Sequence, residues 1–375
     1  MTCGLRDAVI ILVVVVMWCV FIYVPQKMYS SSYKREQLKP VFDEYVIKHN
    51  KSYRSNSEEY DKRFEHFMQS VDEIDLLNAE SIGPDNCKAR YGLTSLSDMS
   101  KDEFRNIHLS DENIVKVPLS YQKKTNNNIF GYLFDSFSDN DKTDDDKVYE
   151  RRKRASGLPL EVDWRKKGVI GSVKNQGVCG ACWAFSTVGT IEAMAAIATN
   201  KLEELSVQEM IDCSRPFNDG CSGGDICLLL DWLVSAGAAI ERESAYPLRL
   251  TDGACRRHSN TTGVKVKTFT CHSMVNDEDK ILQTLATHGP VTVAVNAITW
   301  QHYLDGVIQY HCSGAIADLN HAIQLVGYNM SAQVPYYIGK NSWGKEFGDD
   351  GYLKLAVGTN ICGLANEVAT IDVMP

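Results

Sequence analysis

A chain of 375 residues, 44% hydrophobic and rich in Trp, Tyr and Phe, has material for a sizeable core and exceeds the usual ~100–200 residues of one domain, so a second unit or a long appendage is expected. Its formal charge of −9 argues against a nucleic-acid binder, whose footprint is a basic patch. Twelve cysteines suit an oxidising compartment, and the nine between 179 and 362 are an odd number, which leaves one thiol over as a candidate reactive group.

The first element is AVIILVVVVMWCVFIYV (8–24), 17 apolar residues without a charge. It is longer than a common signal h-region, just short of the ~20 residues that span a bilayer, and no A-x-A-like site follows. Residues 1–24 therefore read as a signal anchor or as a signal peptide cleaved near Ser32, and they lie outside the fold. Either way the chain is addressed to the secretory pathway, to a lysosome or the exterior, with membrane anchoring through 8–24 if the segment is kept. The flanking charges oppose a lumenal catalytic domain on a retained anchor, because Lys27, Lys34 and Arg35 outweigh Arg6.

Residues 36–80 read as helix. Tyr60, Phe64, Phe67, Val71, Ile74 and Leu77 recur at three- and four-residue steps with acids and lysines between them. The period is lost over 110–150, where DSFSDNDKTDDDK (135–147) is an acidic, solvated linker. The linker ends in Arg151, Arg152, Lys153 and Arg154, a site suited to a processing protease. A new globular unit begins near Leu158 and runs 218 residues to Pro375.

In that unit CWAFSTVGTIEAMAAIAT (182–199) is helical, LSVQEMIDC carries Ser206 and Glu209 as a capping box, and DICLLLDWLVSAG makes a third helix ending at Gly237. Beyond 264 the texture turns to strands: VKVKTFT, PVTVAVNA, HAIQLVGY, PYYIGKNSW and GYLKLAVG. A helical half followed by a β half is α+β, with a cleft expected where the halves meet.

NQGVCGACWAFS (175–186) places Cys179 and Cys182 three apart. Zinc would need a second ligand pair at finger spacing, and a redox disulfide a βαβ context; neither accompanies the motif. A glycine-rich loop leads instead into the Ala-rich helix. Cys182 opens that helix, where backbone N–H groups and the dipole favour a thiolate. A thiolate nucleophile needs an imidazole, and the imidazole an orienting group. Of six histidines in this unit, His321 opens an apolar strand, and 20 residues on NSWG supplies Asn341 to fix the ring and Trp343 to shield that bond. Gln176 is a candidate oxyanion donor beside the backbone N–H of Cys182.

With these residues in place the chain resembles the papain-like cysteine peptidases. CGACW (179–183) matches their cysteine signature, His321 follows Cys182 by 139 residues, and Asn341 lies beyond. GCSGG (220–224) looks like their substrate-binding glycine loop. Glu59, Arg63, Phe67, Ile74 and Asn78 match their propeptide pattern, with Ser70 in place of an Asn, and YGLTSLSD (91–98) stands where a second propeptide signature falls. TWQHYLDGVIQYHCS (299–313) points to one branch of the family.

The resemblance implies a two-lobed fold with a helical left lobe and a β-barrel-like right lobe, preceded by a helical inhibitory propeptide. Residues 25–109 would be that propeptide, 110–157 the linker with its processing site, and 158–375 the peptidase domain. It implies Cys182 as nucleophile, His321 as base and then acid, Asn341 as orienter and Gln176 as oxyanion donor, with no cofactor and no metal. It implies disulfides Cys179–Cys221, Cys213–Cys255 and Cys312–Cys362, leaving open whether Cys227 and Cys271 pair. The S2 pocket, which takes the second substrate residue before the scissile bond (P2), falls on Ile226, Ala294, Leu319 and Glu367, with Gly224 and Trp343 beside the substrate. Bulky apolar P2 residues are expected, and basic ones too if Glu367 faces the pocket rather than solvent. No occluding loop is present, so an endopeptidase is expected. Its partners would be protein or peptide substrates, its own propeptide as inhibitor, and a furin-like convertase cutting after Arg154. Phe347 departs from the family, which has a second tryptophan there. The alternative reading is an inactive papain-like binding protein or a propeptide-type inhibitor.

Overall fold

The computed structural model describes residues 24–81, 87–109, 157–215, 217–257 and 263–374. Residues 8–23 of the apolar run and the linker with Arg151, Arg152, Lys153 and Arg154 lie outside the described residues. The chain divides into two compact units, residues 1–73 with 97–100 and residues 74–96 with 101–375.

The first unit is built on α1 (Val24–Lys48) and α2 (Ser57–Glu80), with a 3-10 turn at Ser52–Ser55 between them. The helix expected over 36–80 is thus broken in two. Asn50 takes a φ of +49° at the break, a left-handed conformation in which Asn is enriched. Phe42 of α1 meets Phe64 and Phe67 of α2 with ring centroids 5.2 and 5.0 Å apart, so the front of the apolar stripe is a helix–helix seam. Asp98 closes this unit: it accepts from the hydroxyls of Tyr45 and Tyr53 at 3.0 and 2.6 Å and pairs with Lys51 at 2.8 Å. Burial and the nearby Asp98 carboxylate push both tyrosine hydroxyls far up.

The second unit takes the end of α2 from Ile74 onward. Its elements are β1 (Arg90–Tyr91), α3 (Lys101–His108), β2 (Glu161–Asp163), α4 (Cys182–Thr199), α5 (Val207–Cys213) and α6 (Ile226–Ser235). There follow β3 (Ala239–Ile240), β4 (Val264–His272), α7 (Asp279–Thr287), β5 (Val291–Val295), β6 (Tyr303–Asp305) and β7 (Val307–Ile308). The last are β8 (His321–Asn329), β9 (Tyr336–Lys340), β10 (Tyr352–Ala356) and β11 (Val368–Met374).

Helix α4 is the centre of the helical lobe. Every residue from Cys182 to Ala196 is buried, which is why it is apolar all round; it is a core helix although its length and composition would suit a membrane span. Ser206 caps α5 by accepting from Glu209 N at 2.9 Å. The reciprocal half of the expected capping box is absent: Glu209 Oε2 instead accepts from Glu241 N at 2.8 Å and ties α5 to the chain after β3. Asp225 caps α6, its Oδ1 accepting from Cys227 N and Leu228 N. Gly237 ends the segment at φ +56°, where glycine carries no Cβ penalty.

The sheet runs β3-β4-β11-β5-β8-β9-β10-β7, with β2 on β8, and is antiparallel except between β10 and β7. Among the described residues nothing pairs β7 with β3, so the barrel-like lobe is an open sheet. Strand β8 sits between β5 and β9, and its residues His321 to Tyr328 are all buried, which accounts for its largely apolar sequence. Two apolar clusters form, one around α4–α6 with residues of β4, β8 and β11 facing them, the other around the rest of the sheet with α7. The N-terminal segment joins the sheet-side cluster through Phe104 and Leu109.

Candidate active site

Cys179 is bonded to Cys221, which anchors the loop ahead of α4 to the glycine loop 220–224. The two chains run so close that Gly180 N donates to Cys221 O at 2.8 Å, and a Cβ on Gly180 would stand 2.8 Å from that same oxygen. Glycine is required there. Cys213 pairs with Cys255 and Cys312 with Cys362, and the pairing left open by the sequence is present: Cys227 bonds Cys271. Among the described residues Cys87 and Cys182 are the cysteines outside disulfides, and Cys182 is buried at the first residue of α4.

His321 begins β8, and Asn341 directly follows β9, its neighbour in the sheet. The ring Nε2–H donates to Asn341 Oδ1 at 2.8 Å, while Ser342 N donates to the same oxygen at 2.8 Å. Two donors on one oxygen fix the amide, and the amide fixes the ring's tautomer: the proton stays on Nε2 and Nδ1 keeps its lone pair. Nδ1 is buried without a hydrogen-bond partner. Trp343 lies over the imidazole with centroids 4.8 Å apart, and Trp300 meets it edge-on at 6.2 Å. Phe347, standing in for a tryptophan, packs edge-on against Trp343 at 4.9 Å, so the shield keeps an aromatic backing. Burial lowers the His321 pKa to about 4; the bond to Asn341 opposes this and the nearby His108 adds to it.

Gln176 is wholly buried. Its Oε1 accepts from the Ser342 hydroxyl at 2.7 Å, which leaves Nε2 as the donor end of the amide. That Nε2 reaches Cys179 O at 3.1 Å and, from α3, the carbonyl of His108 at 3.3 Å. Phe104 and His108 rest on Trp343 with centroids 5.3 and 5.8 Å away. The end of α3 therefore occupies both the tryptophan shield and the candidate oxyanion donor. Burial lowers the His108 pKa to about 4.

A small pocket is lined by Cys182, Gly224, Ile226, Ala294, His321 and Glu367, together with Asp225 and Ala322, which sequence reasoning did not select. Leu319, expected as a further wall, is fully buried near Gly363 and does not line it. Glu367 is 2% exposed, so its carboxyl is in the pocket and not swung into solvent. Its pKa stands well above the usual range because of burial and the adjacent Asp225, whose own is raised by burial to about 6 against the pull of two backbone N–H donors. Ser342 and His108 were also missed. Ser342 is legible only once Gln176 and Asn341 are seen to share it.

Residues 158–371 match the family profile described as papain family cysteine protease, and residues 42–104 match the cathepsin propeptide inhibitor domain. Cathepsin O from Homo sapiens, the branch toward which 299–313 points, is 42% identical over 217 residues, 58% of this chain and 67% of that protein. Viral cathepsin from Bombyx mori nuclear polyhedrosis virus is 34% identical over 96% of this chain and 99% of its own. Among solved structures, a recombinant stem bromelain precursor aligns with a TM-score of 0.70 at 27% identity, covering 90% of this chain and 99% of that one. Digestive procathepsin L2 from the larval midgut of Tenebrio molitor aligns at 0.71 and 27% identity, covering 89% and 99%.

Proposed function

The chain belongs to the papain family of cysteine proteases and is a zymogen cysteine peptidase; from that premise we propose that it is an endopeptidase whose acyl-enzyme forms on Cys182. His321 Nδ1 takes the thiol proton, and the sulfur attacks the scissile carbonyl carbon, forming a C–S bond and an oxyanion. Gln176 Nε2–H and the Cys182 backbone N–H hold that oxyanion. As the C–N bond breaks, the imidazolium protonates the leaving amine. Water, deprotonated by His321, then attacks the thioester and releases the acid and Cys182. Asn341 keeps the ring in the one tautomer that serves both proton transfers.

The observation that carries this reading is the 2.8 Å bond from His321 Nε2–H to Asn341 Oδ1, with Cys182 lining the same cavity as the ring. Labelling with an epoxide or iodoacetamide after acid activation tests it. One fast adduct on Cys182, lost in His321→Ala, is expected. Adduct formation without dependence on His321 would leave a papain-like scaffold that binds but does not cut.

In the precursor α3 and the residues after it act as the inhibitor, supported by the His108 carbonyl on Gln176. A furin-like convertase removing the pro-region after Arg154, delivery through the secretory pathway to a lysosome or the exterior, and anchoring through 8–24 are further parts of the proposal. Replacing Arg151–Arg154 by four alanines leaves the precursor uncut in cells if a convertase is responsible; unchanged maturation would point to self-processing at low pH. The walls contributed by Ile226 and Ala294 favour a bulky apolar P2 residue, and Glu367 adds acceptance of a basic one.

A further inference from the structure

The cavity beside Cys182 holds more acid than one side chain. Asp225 and Glu367 are each 2% exposed, and each has one oxygen, Asp225 Oδ2 and Glu367 Oε2, buried without a hydrogen-bond partner. A carboxylate oxygen of Asp225 lies within 4.8 Å of one of Glu367. The charged neighbour acting on Glu367 is Asp225, and Asp225 is held by backbone N–H groups alone, so no cation among the described residues balances the pair. Two buried acids that close, without a counter-charge, are costly, and the cost falls only when a proton or a visiting cation joins them.

The cap of α6 explains one oxygen of Asp225 and no more. Its Oδ1 serves Cys227 N and Leu228 N at 2.7 and 2.8 Å; Oδ2 has no structural use. Glu367 Oε1 stands 3.0 Å from Cys227 Sγ, and since that sulfur is in a disulfide it has no proton to give. With the carboxyl protonated its O–H can donate to that sulfur, and when a cation enters the proton leaves to solvent, so that both carboxylates face the guest.

The Cys227–Cys271 bond is placed to hold the two acids together. Cys227 lies two residues after Asp225 on α6, and Cys271 pairs in register with Ala369, two residues after Glu367 on β11. The disulfide thus joins α6, which Asp225 caps, to β4, the sheet neighbour of β11, and Glu367 immediately precedes β11.

We propose that Asp225 is a second specificity-determining residue, forming with Glu367 a two-carboxyl seat that selects arginine over lysine at P2. This rests on the peptidase reading above. A guanidinium presents N–H groups on both edges of a rigid plane and can give one edge to each acid, whereas an ammonium is a compact, strongly hydrated point charge that loses more on entering a dry pocket.

The test uses the acid-activated full chain and fluorogenic peptides that vary only at P2, carrying Arg, Lys or Leu. Asp225→Asn keeps the helix cap, because Asn caps about as well as Asp, and Asp225→Ser is a second cap-preserving variant should the first fold poorly. The ratio of kcat/KM for P2-Arg to that for P2-Leu is expected to fall ~10-fold or more in Asp225→Asn, in line with loss of a charged hydrogen bond. The Arg-to-Lys preference should fall towards parity with it. Glu367→Gln should lower P2-Arg and P2-Lys together. If P2-Leu is cut but P2-Arg is thousands-fold slower in the parent, or if both ratios are unmoved in either cap-preserving variant, the two-carboxyl seat is overturned while the peptidase stands. If no P2-Leu peptide is cut and Cys182 is not labelled, the peptidase reading fails and takes this one with it.

Discussion

His108 should release the precursor in acid. Its ring is 6% exposed against Trp343, its Nδ1 has no hydrogen-bond partner, and burial lowers its pKa from 6.5 to about 4. A depressed imidazole favours the docked helix fully above pH 6.5, and that contribution is lost as pH falls through the window from 6.5 to about 4. At pH 4.5 the linkage amounts to about 2.5 kcal/mol against docking, or ~60-fold in the fraction of helix released. His321, lowered to about 4, titrates in the same direction, and His302, lowered to about 4 by burial and the charge of Lys101, adds to it. The perturbation that isolates His108 is His108→Phe, which keeps an aromatic ring on Trp343 and removes the titration. The assay is the initial rate of epoxide labelling of Cys182 in the uncut precursor, parent against variant, from pH 7 to 4.5. With the ratio of parent to variant set to one at pH 7, it should climb ~60-fold by pH 4.5. A ratio that stays flat across that range would refute the reasoning, because intrinsic thiol chemistry cancels between the two proteins.

Three further outcomes follow from the site. Asn341→Ala removes the bond that holds the His321 tautomer and leaves Nε2–H buried without its acceptor, so kcat/KM should drop by about 1–3 kcal/mol of transition-state free energy, five- to 150-fold, measured on any good P2-Leu peptide. Gln176→Ala should lower kcat ~10²–10³-fold with KM little changed, as expected for a donor used only in the transition state; an equal loss in KM would point to ground-state binding instead. Replacing Cys227 and Cys271 together by alanine opens a 44-residue loop, worth about 4 kcal/mol by loop-closure entropy, and thermal unfolding should show a fall in Tm of roughly 8–16 °C.

The candidate site was legible where it is written in short stretches. Cys182 stands at a helix start dictated by a glycine-rich loop running into alanines, and Asn341 and Trp343 are two residues apart on one segment. His321 was marked by the apolar strand it opens. What depends on long-range packing was not readable. Cys227 and Cys271 sit on a helix and a strand that meet only in the folded packing, and β11, which pairs with that strand, has a sequence, VATIDVM, with too weak an alternation to stand out. Helix α7, DKILQTLAT, is short enough for its period to pass unnoticed. The break between α1 and α2 hides because the apolar stripe resumes in phase after Asn50. The Asp225–Glu367 pair was half visible: Glu367 by resemblance, Asp225 masked by its ordinary use as a helix cap. Ser342 acts through two other side chains, and nothing in its own surroundings in the sequence reports that.

The carbonyl of His108 is held by the same Gln176 amide that is proposed to hold the oxyanion. On that proposal, latency and turnover share this side chain. A substitution that loosens the precursor's grip there also slows the enzyme it sets free, so leaky variants of this kind are self-limiting. Hyperactive ones have to arise elsewhere, at the face of α3 or in the linker.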